Sequence, residues 1–299
     1  MPRLIEIHDD GACALEEAIE AIAAIGFDPS CEERLQETAR WLQRLNNNRS
    51  FLGDLLLERL KPDYDLETTD SGYGPQAIVL SPLHGAVFLR ANVWPSPTDH
   101  CFATSGADSF VYGVPHDHNF SFLTSGYLGP GYRSDYYEYD YETVSGFAGE
   151  QPEIRFVERS ALAEGKLQLY RAHVDIHSQI PPEALSVSLN VMHVDPAQAW
   201  YDQYGFDLEE GRITRVLSPN STEVFLRTAV ATGLPDALDL AEQFGRYHPS
   251  DRLRLASFEA RAMLCVDDAG RDALWSSAET CGSRMVSETA RQKRAEIAC

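Results

Sequence analysis

The chain is poor in positive charge. Its 25 Lys and Arg face 46 Asp and Glu, a formal charge of −21. Such a surface repels phosphate backbones and anionic lipid, so nucleic acid and membrane are excluded as expected partners. Cysteine is sparse as well. Cys13, Cys31, Cys101, Cys265, Cys281 and Cys299 contain no C-x-x-C pair, which rules out a zinc-finger type of site. A chain of 299 residues has no need of a disulfide framework to hold a core together. No segment approaches the roughly 18 consecutive apolar residues of a membrane span. The opening Met1-Pro2-Arg3-Leu4 lacks the basic start and apolar run of a signal peptide. The expectation is a cytoplasmic, reduced globular protein.

What is present divides into three stretches. Leu15, Ala18, Ile19, Ile22 and Ala23 recur at helical spacing, and Leu35, Ala39, Leu42 and Leu45 repeat that pattern in a second helix. Asn46-Asn47-Asn48 ends it, and Ser50 is placed to cap a third helix that stops before Pro62. Strand character starts near Ala77, continues through Val87 to Trp94, and persists with interruptions to Met192. From Ser221 helices return, with Pro235 and Pro249-Ser250 suited to helix starts and a charged, frayed end over 287–299. We expect an N-terminal helical segment over 1–70, a β domain over 71–205 and a C-terminal helical segment over 206–299. The helices serve most simply as a cover for an apolar sheet face: Leu185, Val187, Leu189 and Val191 alternate with Ser186, Ser188 and Asn190, and that apolar face needs covering.

The most informative stretch is Val114-Pro-His116-Asp-His118-Asn-Phe120-Ser-Phe122. On a strand, residues two apart leave the same face, so His116 and His118 point together and Phe120 and Phe122 continue that face as an apolar floor. Neutral imidazole is the commonest protein metal ligand, and such a pair can reach one ion. About fifty residues later comes strand, turn, strand, carrying His173 and His177. These two are four apart, so a regular strand would put both on one face.

A His-x-His strand followed by a second strand with one more histidine resembles the two-motif signature of the cupin superfamily. The His-Asp-His form, with no carboxylate near Phe122 or Leu123, is similar to the thiol dioxygenases, of which cysteine dioxygenase is the best known. The resemblance covers residues 75 to 195. It implies an α+β chain built on a cupin-type antiparallel β-barrel or jelly roll flanked by N- and C-terminal helical segments. It also implies ferrous iron on three histidines, here His116, His118 and His173, with His177 beside the metal to orient a ligand or touch substrate. Arg90 falls where the family's arginine clamps a substrate carboxylate. Ser188 and Asn190 fall in the strand after the third ligand, as further substrate contacts. The chain departs from the family at the cysteine–tyrosine crosslink: no cysteine lies near Leu123, and Met192 stands in the tyrosine's place.

Residue parity supports part of this independently. Arg90 shares its face with Phe88 and Asn92, and an interior arginine needs an anionic partner, either a substrate or an acid such as Asp117 or Asp175. The glycines at 126, 129 and 131 force a tight turn after the histidine strand, which would allow Tyr127 or Tyr132 to reach over the metal. Tyr137, Tyr139 and Tyr141 read as an aromatic ladder, and Glu138 is the one carboxylate placed to be a fourth ligand.

The function expected is a non-haem Fe(II) oxygenase using dioxygen, without 2-oxoglutarate. Its substrate would be an amino acid, a modified amino acid or a peptide residue bound directly to the metal. The alternatives are a non-catalytic metal-binding sensor or accessory protein, and a zinc or nickel isomerase or hydrolase on the same fold. A homodimer is compatible with each.

Overall fold

The computed structural model describes residues 2–61 and 76–298; the expected stop at Pro62, the boundary at 70/71 and Cys299 lie outside them. The described residues form two compact units, one of 1–141 with 153–198 and one of 142–152 with 199–299.

The first unit opens with β1 (Arg3–Ile5) and three helices, α1 (Leu15–Ile25), α2 (Glu32–Asn47) and α3 (Phe51–Leu60). Glu17 accepts a hydrogen bond from the Ala14 N–H at the start of α1, which satisfies one of the donors a helix N-terminus leaves open. Asn48, not Ser50, supplies the cap at α3: its Oδ1 accepts from the Phe51 N–H at 3.2 Å, and the Ser50 side chain makes no capping bond. Short strand β2 (Ala77–Val79) precedes β3 (Val87–Trp94), then α4 (His100–Ser105), β4 (Phe122–Leu128), β5 (Arg133–Glu138), β6 (Arg155–Ala161), β7 (Leu167–Tyr170), β8 (Asp175–Ile180) and β9 (Ser186–His193).

These strands make two antiparallel sheets, a six-stranded one in the order β1-β7-β4-β9-β3-β2 and a three-stranded one in the order β6-β5-β8. Neither is closed on itself among the described residues, so the architecture is an α+β arrangement of antiparallel sheets flanked by helices rather than a closed barrel. The alternation along the central strands sets two different faces. Val87, Leu89 and Ala91 of β3, Leu123 of β4 and Val187, Leu189 and Val191 of β9 join Ala18, Ile22, Leu35, Ala39 and Leu42 of α1 and α2 in one apolar core. The N-terminal helices therefore cover the outer face of the large sheet, as the apolar side of β9 requires. On the inner face, register places Arg90, Asn190, Thr124 and Gln168 in one row across four strands, and Phe88, Met192, Phe122 and Tyr170 in the next.

The turn after β4 is held by glycine. Gly131 has φ 78°, and a β-carbon there would lie 1.9 Å from the Leu162 carbonyl oxygen. No other residue fits both demands.

The second unit begins with an antiparallel hairpin, β10 (Tyr204–Asp207) and β11 (Arg212–Val216), where the sequence reading placed only helix after 206. Tyr, Phe, Ile and Val on either side of Leu208-Glu-Glu-Gly211 carry that hairpin. Helices α5 (Ser221–Ala231), α6 (Pro235–Tyr247), α7 (Asp251–Ala262), α8 (Asp268–Ala278) and α9 (Arg284–Ile297) follow. The expected fraying over 287–299 is not found through residue 297. Ser283 caps α9, Met285, Val286 and Ala290 are buried, and Arg294 pairs with Asp272 and Glu279. Among the described residues no helix is long and apolar enough to cross a membrane, and Cys13, Cys31, Cys101, Cys265 and Cys281 are free thiols.

Candidate metal centre

Three imidazoles meet between the two sheets. The Nε2 atoms of His118 and His177 lie 3.0 Å apart, and those of His177 and His116 lie 3.1 Å apart. All three side chains are buried. Among the described residues this is the one group of three or more His, Cys, Asp or Glu side chains close enough to share an ion.

Main-chain pairing builds the convergence. His116 and His177 exchange both backbone hydrogen bonds, at 3.0 and 2.9 Å, and the Gly113 N–H donates to the Gln179 carbonyl oxygen. The segment before β4 thus runs along the free edge of β8 as an irregular extra strand. The sequence reading put the His-x-His pair inside a regular strand. In the structure β4 begins only at Phe122 and the chain bends at Asn119 and Phe120, yet the expected side chains meet: His118 packs on Phe120 and Phe122 at 4.8 and 5.1 Å between ring centroids. Asp117, on the opposite side, accepts a hydrogen bond from the Tyr139 hydroxyl.

The third histidine of the cluster is His177, where the cupin spacing had favoured His173. The reason lies in the backbone. β8 starts at Asp175, so His173 belongs to the turn before it, with φ 63°, its N–H on the His118 carbonyl oxygen and its ring on Tyr141. A left-handed residue breaks the period of two on which the shared-face argument rested. Glu138 is also elsewhere, paired with Arg155 and Arg171.

The donor set suits a divalent ion. His116 Nδ1 lies 2.8 Å from the Val114 carbonyl oxygen. A carbonyl only accepts, so this nitrogen carries the proton and Nε2 keeps its lone pair toward the other two rings. Burial holds all three imidazoles below their ordinary pKa, and for His118 and His177 well below it, with the neighbouring rings adding to the effect. Neutral imidazoles are what a metal requires. For metal–nitrogen bonds of about 2.1 Å, ligands at right angles stand about 3.0 Å apart and tetrahedral ones about 3.4 Å. The 3.0 and 3.1 Å spacings from His177 to its two neighbours match ligands at right angles more closely than tetrahedral ones, and all three donor atoms lie within 4.8 Å of one another.

The cluster opens on a cavity of about 280 Å³, whose walls include Arg90, Asn92, Trp94, Tyr132, Gln179 and Asn190. This is the small end of the range for ligand sites. Arg90 and Asn190 sit directly opposite each other on β3 and β9. Two acids considered as partners for Arg90 are engaged otherwise: Asp175 pairs with Arg171, and Asp117 takes the Tyr139 hydroxyl. Ser188 is not part of the cavity wall. Its Oγ accepts from the Trp94 indole N–H at 3.0 Å, so it positions the ring rather than meeting a ligand itself.

The two tyrosines separate. Tyr132 lines the cavity, tilted against Trp94 with ring centroids 4.1 Å apart, and its hydroxyl lies 3.4 Å from that of Tyr170; burial pushes its pKa up. Tyr127 points to the outer face, where its hydroxyl donates to the Asn48 carbonyl oxygen and Arg49 covers its ring. It cannot reach the histidines. Gln179 went unread in the sequence, although it stands two residues beyond His177 on the same strand face.

No protein-family model matches the chain, and no curated protein matches it. Among solved structures, one similar chain is hydroquinone 1,2-dioxygenase from Sphingomonas sp. TTNP3 with 4-hydroxybenzoate bound, at 8% identity and TM-score 0.26, covering 43% of this chain and 72% of that one. Another is the DMSP lyase DddQ from Ruegeria pomeroyi DSS-3, at 10% identity and TM-score 0.24, covering 65% of this chain and 79% of that one. Likenesses of that order leave the function to be read from the site itself.

Proposed function

We propose that the chain is a metal-dependent enzyme, a non-haem Fe(II) oxygenase acting on an amino acid, a modified amino acid or a peptide residue. The observation that carries this reading is the convergence of three buried imidazoles, with His177 Nε2 at 3.0 and 3.1 Å from the other two, on a small cavity. His116, His118 and His177 would hold the ion, with Tyr132 and not Tyr127 as the tyrosine that borders the substrate. Bound there, ferrous iron would supply a Lewis-acidic centre with open positions for substrate and dioxygen.

The chain's own groups do the rest. Arg90 presents a planar fork suited to a carboxylate, and Asn190 stands across the ladder from it. Phe122 and Trp94 form apolar wall, which restricts water around the reacting atoms and strengthens the Arg90 contact. Ser188 fixes the Trp94 ring through its indole N–H. Phe120 and Phe122 hold the His118 ring from two sides.

Metal analysis of the purified protein, with anaerobic spectroscopy on adding small carboxylates, tests this. Iron at one equivalent, a spectrum that shifts with a carboxylate, and oxygen uptake afterwards are the results expected. Tightly held zinc without oxygen uptake would overturn the oxygenase reading in favour of an isomerase or hydrolase. Metal binding with no turnover of any kind would favour the sensor.

A further inference from the structure

Among the described residues positive φ belongs to twelve glycines and to two other residues, His173 at 63° and Val111 at 61°. Val111 is the harder case, because a β-branched side chain in the left-handed region crowds its own backbone. Nearby Gly106 and Gly113 also have positive φ, and a β-carbon on either would meet nothing within 4 Å. Glycine would ease the backbone at 111 in the same way. A valine kept there in spite of its conformation points to a use for the side chain.

The neighbours hold Val111 in place. Phe110 and Tyr112 are 6% and 2% exposed and share one apolar cluster with Trp94. The Tyr112 hydroxyl donates to the Pro95 carbonyl oxygen at 2.9 Å, and the Val111 N–H donates to the Asp108 carbonyl oxygen at 3.1 Å. The Gly113 N–H, bonded to the Gln179 carbonyl oxygen, ties the other side to β8. Between these anchors Val111 lines the cavity while staying 37% exposed, so its isopropyl group stands at the rim.

The wall leading to it starts near the metal centre. Arg90 is close enough to His118 to act on its charge. Arg90, Asn92 and Trp94 then follow one another along the inner face of β3, and all three line the cavity. Four residues of strand span about 13 Å. The far end is Trp94, whose cluster contains the residues on either side of Val111.

We propose that Val111 is the residue that sets substrate length: a carboxylate held at Arg90 extends past Asn92 toward Trp94, and the isopropyl group stops longer chains. The proposal rests on the proposed function, which puts a carboxylate at Arg90, and narrows the substrate to acids with a short chain or side chain.

The test is calorimetric binding of straight-chain monocarboxylates, from acetate to octanoate, to metal-loaded protein without oxygen. The natural chain is compared with Val111→Gly, Val111→Ala and Val111→Thr. In the natural protein affinity should rise about fourfold per methylene and then break off. In the glycine and alanine variants the break should move to longer acids. The first acid excluded from the natural protein should gain about tenfold, with acetate unchanged. Val111→Thr keeps the branched shape and should keep the natural break. Glycine relieves the backbone and alanine leaves a β-carbon in the left-handed region, so a shift common to both follows the lost side chain. The same break in all four proteins overturns the proposal, as does a natural protein whose affinity rises through octanoate. Acetate bound with an unmoved break would sink this proposal and leave the carboxylate reading standing. Metal at one equivalent with no carboxylate bound by any of the four would sink both.

Discussion

The two faces of the six-stranded sheet are built from the same strands on opposite rules. On the outer face β9 offers Val187, Leu189 and Val191 to helices α1 and α2 in a largely apolar core, with Ser125 of β4 a buried polar exception. On the inner face the same strand offers Ser188, Asn190 and Met192, and its neighbours add Arg90, Asn92 and Trp94. The outer face stabilises the fold through burial and close packing. The inner face leaves amide atoms unpartnered and crowds three imidazoles together, arrangements that lower stability and that a ligand would relieve. Where a protein departs from local consistency, binding or chemistry is the first explanation to test. The comparison predicts that substitutions on one face act on stability and on the other act on ligands.

The largest effect is expected at the histidines. His177→Ala removes one of three ligand atoms, and affinity for a divalent ion should fall by more than about a hundredfold, beyond the range for losing an outer hydrogen-bond partner of a ligand. His116→Ala and His118→Ala should behave alike. His173→Ala, whose ring rests on Tyr141 outside the cluster, should keep a full equivalent of metal. Metal content by elemental analysis decides it, and metal lost from the His173 variant but retained in the His177 variant would reverse the assignment.

Leu189→Ala on the outer face should cost about 2–5 kcal/mol of unfolding free energy, because Leu189 is fully buried and the packed helices cannot collapse into the space. Its metal content should not change. Denaturant titration beside metal analysis reads both, and a variant that unfolds no more easily would break the division between the faces.

How much of this was legible in the sequence follows from how local each cause is. Helices α1 to α3 came through because the period in Leu35, Ala39 and Leu42 is a property of neighbouring residues. The face of Arg90 came through because β3 is regular and parity is conserved along it. The third ligand did not, because it depends on where β8 begins. A left-handed histidine at 173 shifts that start with no glycine or asparagine to announce it. Tyr127 was misplaced because the turn glycines suggested a swing over the metal, whereas strand β4 continues through 127 and its parity sends the ring outward. The break between α8 and α9 went unread, although Gly282-Ser283 marks it and Ser283 caps the second helix, and the charge of the last residues masked their buried stripe.

A smaller effect concerns pH in the metal-free protein. Burial lowers the folded-state pKa of His116, His118 and His177, so below the ordinary imidazole value near 6.5 the unfolded chain binds more protons than the folded one. The cluster is neutral and costs nothing extra above pH 6.5, and stability should decline as pH falls beneath it. Because metal binding requires the same neutral form, the loaded protein should resist this decline until the ion is released. Melting temperatures of metal-free and loaded protein between pH 7.5 and 5.5 check the sign. A metal-free protein that becomes more stable on acidification in that window would contradict it.

The smallest expected change in stability is the most discriminating. Asn190 is 3% exposed on the inner face, with Nδ2 lacking a partner. Replacing it with leucine, of similar volume, removes a buried amide whose Nδ2 the fold leaves without a partner, so the desolvation cost of that group disappears. The added apolar carbons meet Arg90 and Thr124 across the ladder, which limits the gain. The unfolding free energy of Asn190→Leu should therefore stay within about 1 kcal/mol of the natural protein or rise. Carboxylate binding should weaken, since the cavity loses the one amide directly opposite Arg90. A large loss of stability would mean that Asn190 serves the fold. In that case the inner face, like the outer, would be structural, and the contrast between them would reduce to one of polarity.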